Sequence, residues 1–316
     1  MSPVSARRAW AVALLAALAL PDRASAYFDD TRVGARALSL GAAAGATTSD
    51  ATSYHWNPAG LAFLGRPEVM ADYARPFGLP DLDVGTLAVA ARRWGVGWAL
   101  AWNHLGVEDT YSEDLFSLAA GRVLHHGRSG HALAAGATYK FGRAAFQPIT
   151  DTRTGETADY GSQSKGSLDL GLRWVTPWSV DFAWVARDVV EPRYEFVPGS
   201  GGGLRPLRQE LSAALRWNRE STITTGISEI GSGEASYDIG LEILFFDVFA
   251  IRSGLSNTTV IWESGESPEK FQFTGGFGVF HKGYYVDASA VTNRDLGASY
   301  RVTLRVPVGA APGTEP

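Results

Sequence analysis

The stretch WGVGWALAWN, Trp94 to Asn103, alternates strictly: Trp94, Val96, Trp98, Leu100 and Trp102 fall on one face, and Gly95, Gly97, Ala99, Ala101 and Asn103 on the other. A period of two is that of an extended strand, whose successive side chains point to opposite faces. A water-soluble sandwich buries its large residues and turns small and polar ones to solvent. A strand with its tryptophans facing lipid and its glycines and alanines facing inward belongs to the wall of a membrane barrel. Both readings fit this one strand, and the charges and connections decide between them.

The same division recurs along the chain. Leu168, Leu170, Leu172 and Trp174 oppose Asp169 and Arg173; Trp178, Val180, Phe182 and Trp184 oppose Asp181 and Arg187. Leu207, Leu211, Leu215 and Trp217 oppose Arg208, Glu210 and Arg216. Tyr237, Ile239, Leu241 and Ile243 oppose Asp238 and Glu242, and Tyr300, Val302, Leu304 and Val306 oppose Arg301 and Arg305. Acids and bases thus share one face, joined by Arg252 and Asp287, while aromatics mark the ends of the apolar faces as interfacial girdles do. Lumenal charges so balanced are expected to pair across strands as a polar network, which argues against a strongly ion-selective pore. Removing Arg216 is expected to leave a partner unpaired and to loosen whatever fills the interior.

Strands are expected near 68–76, 83–92, 94–104, 113–123, 130–142, 166–176, 178–188, 206–217, 220–229, 234–245, 247–256, 269–280, 283–292 and 296–308. That is an even number, fourteen, of segments close to the ~9–11 residues a tilted strand needs to cross the hydrocarbon core. Connections at Arg93, His125 to Ser129, Pro177, Asn218-Arg219, Phe246 and His281-Lys282 are tight. Those at Gly106 to Ser112, Arg143 to Lys165, Val189 to Arg205 and Asn257 to Pro268 are long. Short periplasmic turns alternating with longer outer loops are the asymmetry of an outer-membrane barrel. The fold class read from the sequence is therefore all-β: a 14-stranded antiparallel transmembrane β-barrel, with an N-terminal hatch segment in its lumen.

Residues 1–26 divide as a secretory signal does, with Arg7-Arg8, an apolar run from Ala9 to Leu20 and small residues Ala24-Ser25-Ala26. Cleavage near Ala26 would start the mature chain at Tyr27. The chain has no cysteine, so neither a lipoprotein anchor nor a disulfide framework is available. A formal charge of -5 gives no polybasic footprint for nucleic acid. The domain reading is a signal at 1–26, a hatch or plug segment at 27–67, the barrel at 68–308 and a flexible tail at 309–316.

A barrel of this width holds an aqueous channel unless something fills it. The sizeable part outside the strands is Tyr27 to Pro67. Within it, DATSYHWNPAGLA, Asp50 to Ala62, breaks regular structure: Asn57 before Pro58 is pushed toward an extended conformation, and Pro58 fixes φ and lacks a donor. The Asn57 amide is suited to bonding backbone groups that a buried, non-strand segment leaves unsatisfied. Gly41, Gly45 and Gly60 allow close packing on a wall where Gly95, Gly97 and Ala99 offer little bulk. Tyr54 and Trp56 read either as plug residues or as side chains packed under the first strand.

The stretch GARALSLGAAAGATTSDATSYHWNPAGLA, Gly34 to Ala62, resembles the N-terminal signature of the FadL-like long-chain fatty-acid transporter superfamily, closest to its PorV/PorQ branch. LDLGLRWVTPWSVDFAWVARDVVEPRYEF, FAIRSGLS, FTGGFGVFHKGYYVDASA and LGASYRVTLRV resemble successive hairpins of that branch. The resemblance implies a barrel with an inward-folded hatch, in which Gly41, Asp50, Tyr54, Trp56, Asn57, Pro58 and Gly60 form the hatch motif. It implies transport or binding of fatty acids or other hydrophobic molecules across the outer membrane of a Gram-negative-type bacterium. The alternative, from the PorV branch, is a scaffold for protein secretion or surface attachment, with secretion or surface proteins as partners. The sequence departs from the branch at Ala51, where a second acid is common, and at its end, which is Val306-Pro307-Val308 and a tail rather than a terminal aromatic.

No catalytic motif stands out: GxSxG, HExxH and a phosphate-cradling loop are absent, so the chain reads as a non-enzyme without cofactor. His125, His126 and His131 lack carboxylates at ligand spacing, so no metal is expected. The acidic loops Asp151 to Glu156 and Ser264 to Glu269 lack the ordered ligands of a calcium loop and read as solvated surface.

Overall fold

The computed structural model describes residues 32–127, 129–150, 155–197, 203–230, 234–257, 271–293 and 296–309. The signal reading at 1–26 and its cleavage site, the loop Ser264 to Glu269 and nearly all of the tail lie outside the described residues. Among the described residues, fourteen antiparallel strands close into a barrel. They are β1 (Glu68–Arg75), β2 (Leu82–Arg93), β3 (Val96–Val107), β4 (Tyr111–His126), β5 (Ala132–Phe146), β8 (Ser162–Val175), β9 (Val180–Arg187), β12 (Arg208–Arg216), β13 (Ser221–Ile230), β14 (Glu234–Phe245), β15 (Phe249–Ser256), β16 (Gln272–His281), β17 (Tyr284–Asn293) and β18 (Gly297–Pro307). Closure is made by β1 on β18, from Glu68 opposite Pro307 to Arg75 opposite Tyr300. Two short ribbons stand apart, β6 (Ile149–Thr150) with β7 (Thr157–Ala158) and β10 (Arg193–Tyr194) with β11 (Gly203–Leu204).

Every wall strand finds a partner on each side, so no ladder of backbone donors is left open to lipid. The alternation read from the sequence is the alternation of the wall. Trp98, Leu100 and Trp102 are exposed on the outside while Gly97, Ala99, Ala101 and Asn103 are buried inside. Phe116 and Leu118, Tyr139 and Phe141, and Ile239 and Leu241 continue this belt around the barrel. A closed, lipid-ready belt over buried charges is the inverse of a soluble core, and it identifies a membrane-spanning wall.

Two boundaries differ from the sequence reading. Trp94 is not the first residue of a strand. It lies in the tight turn between β2 and β3 with a left-handed φ of 53°, is 84% exposed, and is followed by Gly95 at φ 77°. Trp178, Trp217 and Phe246 hold corresponding places in turns, so they extend the aromatic girdle at the tight-turn end. The connection expected from Gly106 to Ser112 is short, because β3 and β4 pair as far as Val107 opposite Tyr111. The long connections at the other end are 147–161, 188–207 and 257–271.

Candidate functional site: an inner segment on two seats

Residues 33–64 form no wall strand. Helix α1 (Ala35–Ser39), helix α2 (Ser53–Trp56) and a 3-10 helix (Pro58–Phe63) are joined by turns, and nearly all of their residues are buried. So short a segment cannot satisfy its own backbone, and the wall supplies the partners. Thr303 and Thr274 hydroxyls accept from the N–H groups of Ala35 and Gly41 at 2.7 and 3.1 Å. Thr138 donates to Tyr54 O at 2.8 Å, Arg173 to Thr48 O at 2.7 Å, and Arg187 to the carbonyls of His55 and Trp56. These partners come from β5, β8, β9, β16 and β18, on different sides of the barrel.

The first seat is a row of glycines. Gly97 of β3 lies opposite Gly121 of β4, Gly121 opposite Gly136 of β5, and Gly136 opposite Gly171 of β8. On this bare strip lies Asn57 to Leu61. A Cβ on Gly171 would overlap Asn57 Oδ1, on Gly136 or Gly121 the Pro58 carbonyl group, and on Gly97 Leu61 O. Close approach of two backbones is a standing reason for glycine inside a strand. Asn57, fully buried, uses its whole amide here. Its Nδ2 donates to Gly45 O at 3.0 Å and Leu172 O at 3.1 Å, while its Oδ1 accepts from Ala59 N–H at 3.0 Å. Its φ of -162° is extended, as the following proline demands. Beside it Leu61, Tyr54, Leu64 and Val33 pack on Met70, Ala88, Ala99 and Ala119. Tyr54 donates to Asn103 Oδ1 at 2.9 Å and the Trp56 indole to Val33 O at 2.7 Å, and both side chains are buried in the lumen.

The second seat lies on β14 to β18. Leu40 and Gly41 rest on Gly240 and Gly254, which face one another in the sheet. Gly41 has φ 66°, and a Cβ there would stand 2.7 Å from Leu255 O. Around it runs a continuous ladder of charge that begins and ends on the inner segment. Arg36 meets Glu242 at 2.8 Å, Glu242 meets Arg252 at 2.6 Å, Arg252 meets Asp287 at 2.7 Å, Asp287 meets Arg305 at 3.4 Å, and Arg305 meets Asp50 at 2.7 Å. Asp50 also accepts from the Thr52 hydroxyl at 2.5 Å and N–H at 2.9 Å. Burial alone would raise the Asp50 carboxyl, but Arg305 and the Thr52 bonds outweigh it and hold the group below its ordinary value. Gly60 closes the fold of the segment on itself, since a Cβ there would overlap Thr48 O.

The remaining charges named from the sequence fall into separate groups. Arg173 and Arg216 share Asp181, at 3.2 and 2.8 Å. Among the described residues the part-exposed Arg216 bonds that wall carboxylate alone, whereas Arg173 also reaches Thr48 O of the inner segment. Glu210 meets Arg187 at 3.3 Å, Arg301 pairs with Asp72, and Asp169 accepts from Lys140 at 2.7 Å. Arg208 donates to Ser228 and Asp238 accepts from Ser256. Sequence reasoning left out Arg36 and Glu68, whose Oε1 accepts from Ala51 N–H at 2.5 Å. It also missed the glycine register, which is legible only once strands are paired.

Toward the long-connection end, above the inner segment, the lumen changes character on one side. Ala74, Leu82, Val84 and Leu105 form an inward apolar cluster with Val107 and Tyr111, and Leu115, Ala144 and Tyr194 form another with Tyr111 and Phe196. Glu113 in their midst accepts from the Tyr111 hydroxyl at 2.7 Å. Across the lumen the inward residues are polar: Ser228, Ser236, Asp238, Ser256, Gln272 and Asn293.

No family model matches the chain, and no curated protein is similar to it in sequence. Solved structures are similar to it in fold. The CymD monoaromatic hydrocarbon channel aligns over 89% of this chain and 97% of its own at 12% identity, with a TM-score of 0.63. The Pseudomonas putida toluene transporter TodX aligns over 90% and 97% at 12% identity, with a TM-score of 0.57. A Pseudomonas aeruginosa FadL homologue aligns over 84% and 95% at 10% identity, with a TM-score of 0.52. In architecture this closed fourteen-stranded barrel is similar to those channels.

Proposed function

We propose that the protein is an outer-membrane barrel that passes hydrophobic small molecules through an apolar outer chamber, with residues 33–64 as its hatch. The observation that carries this reading is the chamber itself. Ala74, Leu82, Val84, Leu105, Leu115 and Ala144 turn apolar side chains into a lumen that a channel for polar solutes lines with polar groups. The hatch below, fastened to strands on all sides, opposes free passage of water and ions. The likeness in fold to hydrocarbon channels supports the same reading. The asymmetry of tight turns and long connections sets the long ones outside the cell. Uptake of the fluorescent apolar probe N-phenylnaphthylamine by cells carrying the protein in their outer membrane tests the proposal. Faster uptake than in cells lacking it is the expected result; equal uptake overturns it.

The scaffold reading implied by the PorV branch draws on the 147–161 connection, where Thr157 and Ala158 stand exposed in the β6–β7 ribbon. Affinity capture from native membranes separates the two, since a scaffold brings down a secretion component or surface protein and a transporter does not.

A further inference from the structure

The lipid-facing side of the wall is not uniform around the barrel. On β2, β3 and β4 the row next to the tight turns reads Arg93, Val96 and Arg122, opposite one another in register. Further along the same strands and on the same face, Val89, Leu100 and Leu118 form a row exposed on the outside. Both arginines therefore point outward, and both are exposed. Neighbouring strands lie about 4.8 Å apart, which sets the two arginine backbones on the order of 10 Å from each other across β3. Arg93 rests over the Trp94 ring, 5.5 Å from its centroid, and Trp94 is itself exposed in the turn. Among the described residues neither arginine side chain has a hydrogen bond or an ion pair. The sequence supplies no carboxylate at this level: 91–98 and 120–135 contain no Asp or Glu, and Glu68 at the same end is buried inside on the Ala51 N–H. Other tight turns are balanced, with Glu220 after Arg219, and Asp247 and Lys282 in neighbouring turns.

Toward the long-connection end from this row, the outside of the wall is hollowed. A shallow groove of about 610 Å³ is lined by apolar side chains, among them Leu87, Leu100, Trp102, Leu118 and Phe141. At a rise of ~3.4 Å per residue it begins ~14 Å along the strands from the arginines, and strand tilt reduces this to ~10 Å of depth. That depth lies within one leaflet, whose hydrocarbon is about 15 Å thick.

We infer that Arg93 and Arg122 form the headgroup site of one anionic glycerophospholipid of the periplasmic leaflet, whose acyl chains run along the wall into the groove. The choice of leaflet rests on the reading that sets the long connections outside the cell. Two like charges without a carboxylate at their level repel each other, and an anion between them turns that repulsion into attraction. A phosphodiester has two unesterified oxygens, and a guanidinium presents paired donors that match them. The Trp94 and Trp98 indoles flank the site at the depth where such rings meet headgroups. A zwitterionic headgroup brings its own cation to the same place and gains less.

Native mass spectrometry of the full-length protein, in detergent with equal amounts of phosphatidylglycerol and phosphatidylcholine, tests the site. Wild-type protein is expected to retain phosphatidylglycerol in preference. Arg93→Gln with Arg122→Gln is expected to lower that preference about thirtyfold, the product of about fivefold for each arginine. Arg219→Gln, on the same rim beside Glu220, is expected to leave it unchanged. Equal retention of the two lipids by wild type, or an unchanged preference in the double variant, overturns the site. Equal loss from Arg219→Gln overturns it as well, because the preference then belongs to the rim as a whole. The leaflet is tested separately in a chain that has no cysteine of its own. Asn218→Cys, in a tight turn, is expected to react with a membrane-impermeant maleimide only after the outer membrane is permeabilised, and labelling of intact cells overturns the periplasmic placement. N-phenylnaphthylamine uptake by the double variant is expected to match wild type, so failure of the transport reading and failure of the lipid site are told apart.

Discussion

The two seats of the inner segment hold it by different physics. On β3, β4, β5 and β8 the wall gives up its side chains: Gly97, Gly121, Gly136 and Gly171 let the Asn57 to Leu61 backbone lie on the sheet, and one amide satisfies the groups trapped between them. On β14 to β18 the wall adds charge to a smaller glycine contact at Gly240 and Gly254, and the ladder from Arg36 to Asp50 grips the segment at both of those residues. A steric seat tolerates changes of pH and salt but no added atom. In the charge ladder every member depends on its neighbours.

Breaking the ionic seat at its centre has the largest expected effect. Arg252, whose side chain is fully buried between Glu242 and Asp287, replaced by Met leaves two carboxylates without their shared cation. Removing one partner of a buried pair costs about 3–5 kcal/mol, and thermal unfolding in detergent is the measurement. The steric seat comes next. Gly136→Val places side-chain atoms where the Pro58 carbonyl group lies, and overpacking of this kind costs up to about 3 kcal/mol. Limited proteolysis is expected to cut residues 33–64 in this variant while the barrel stays whole.

Asn57→Ala sharpens the comparison, because it empties the steric seat of its polar contacts without adding bulk. It strands Gly45 O, Leu172 O and Ala59 N–H, at about 1–3 kcal/mol for a buried group left unmade. The same protease assay is expected to show faster cutting than in wild type, and salt is expected to leave the difference unchanged.

The smallest effect is that of acid. Burial, then Arg187, Lys140, Arg205 and Arg301, holds the His55 imidazole neutral and well below its usual value. Its unfolded form takes up a proton first, so the seated state loses stability as pH falls below about 6.5. Asp50, held low by Arg305, adds a second loss as pH falls further through its folded value. Proteolysis followed from neutral to acidic pH is expected to quicken, with a change of at most about 1.4 kcal/mol per pH unit for each proton taken up. Arg305→Met is expected to flatten the Asp50 part of that response and Gly136→Val to leave it in place.

How much of this was legible follows from where the information resides. Period-two alternation is a local property, so the lipid face of Trp98 to Trp102 and the inward charges Asp169, Arg173, Glu242 and Arg305 could be read directly. Asn57-Pro58 announced a break in regular structure because proline chemistry is local too. Trp94 was misplaced because a left-handed turn residue continues the alternation of the strand it precedes. The glycine strip could not be read, since Gly97, Gly121, Gly136 and Gly171 are neighbours only through register, which each strand leaves unsaid. Tyr194 lies in a connection with no period at all, and its burial depends on Leu115 and Ala144 from two other strands.

Conductance in a planar bilayer puts the central claim, a lumen closed by the seated inner segment, to its most direct test. Wild-type protein is predicted to be electrically silent, and protein carrying Gly121→Val with Gly136→Val to conduct as the segment leaves its seat. Steady wild-type conductance, or equal silence from the double variant, would contradict the account.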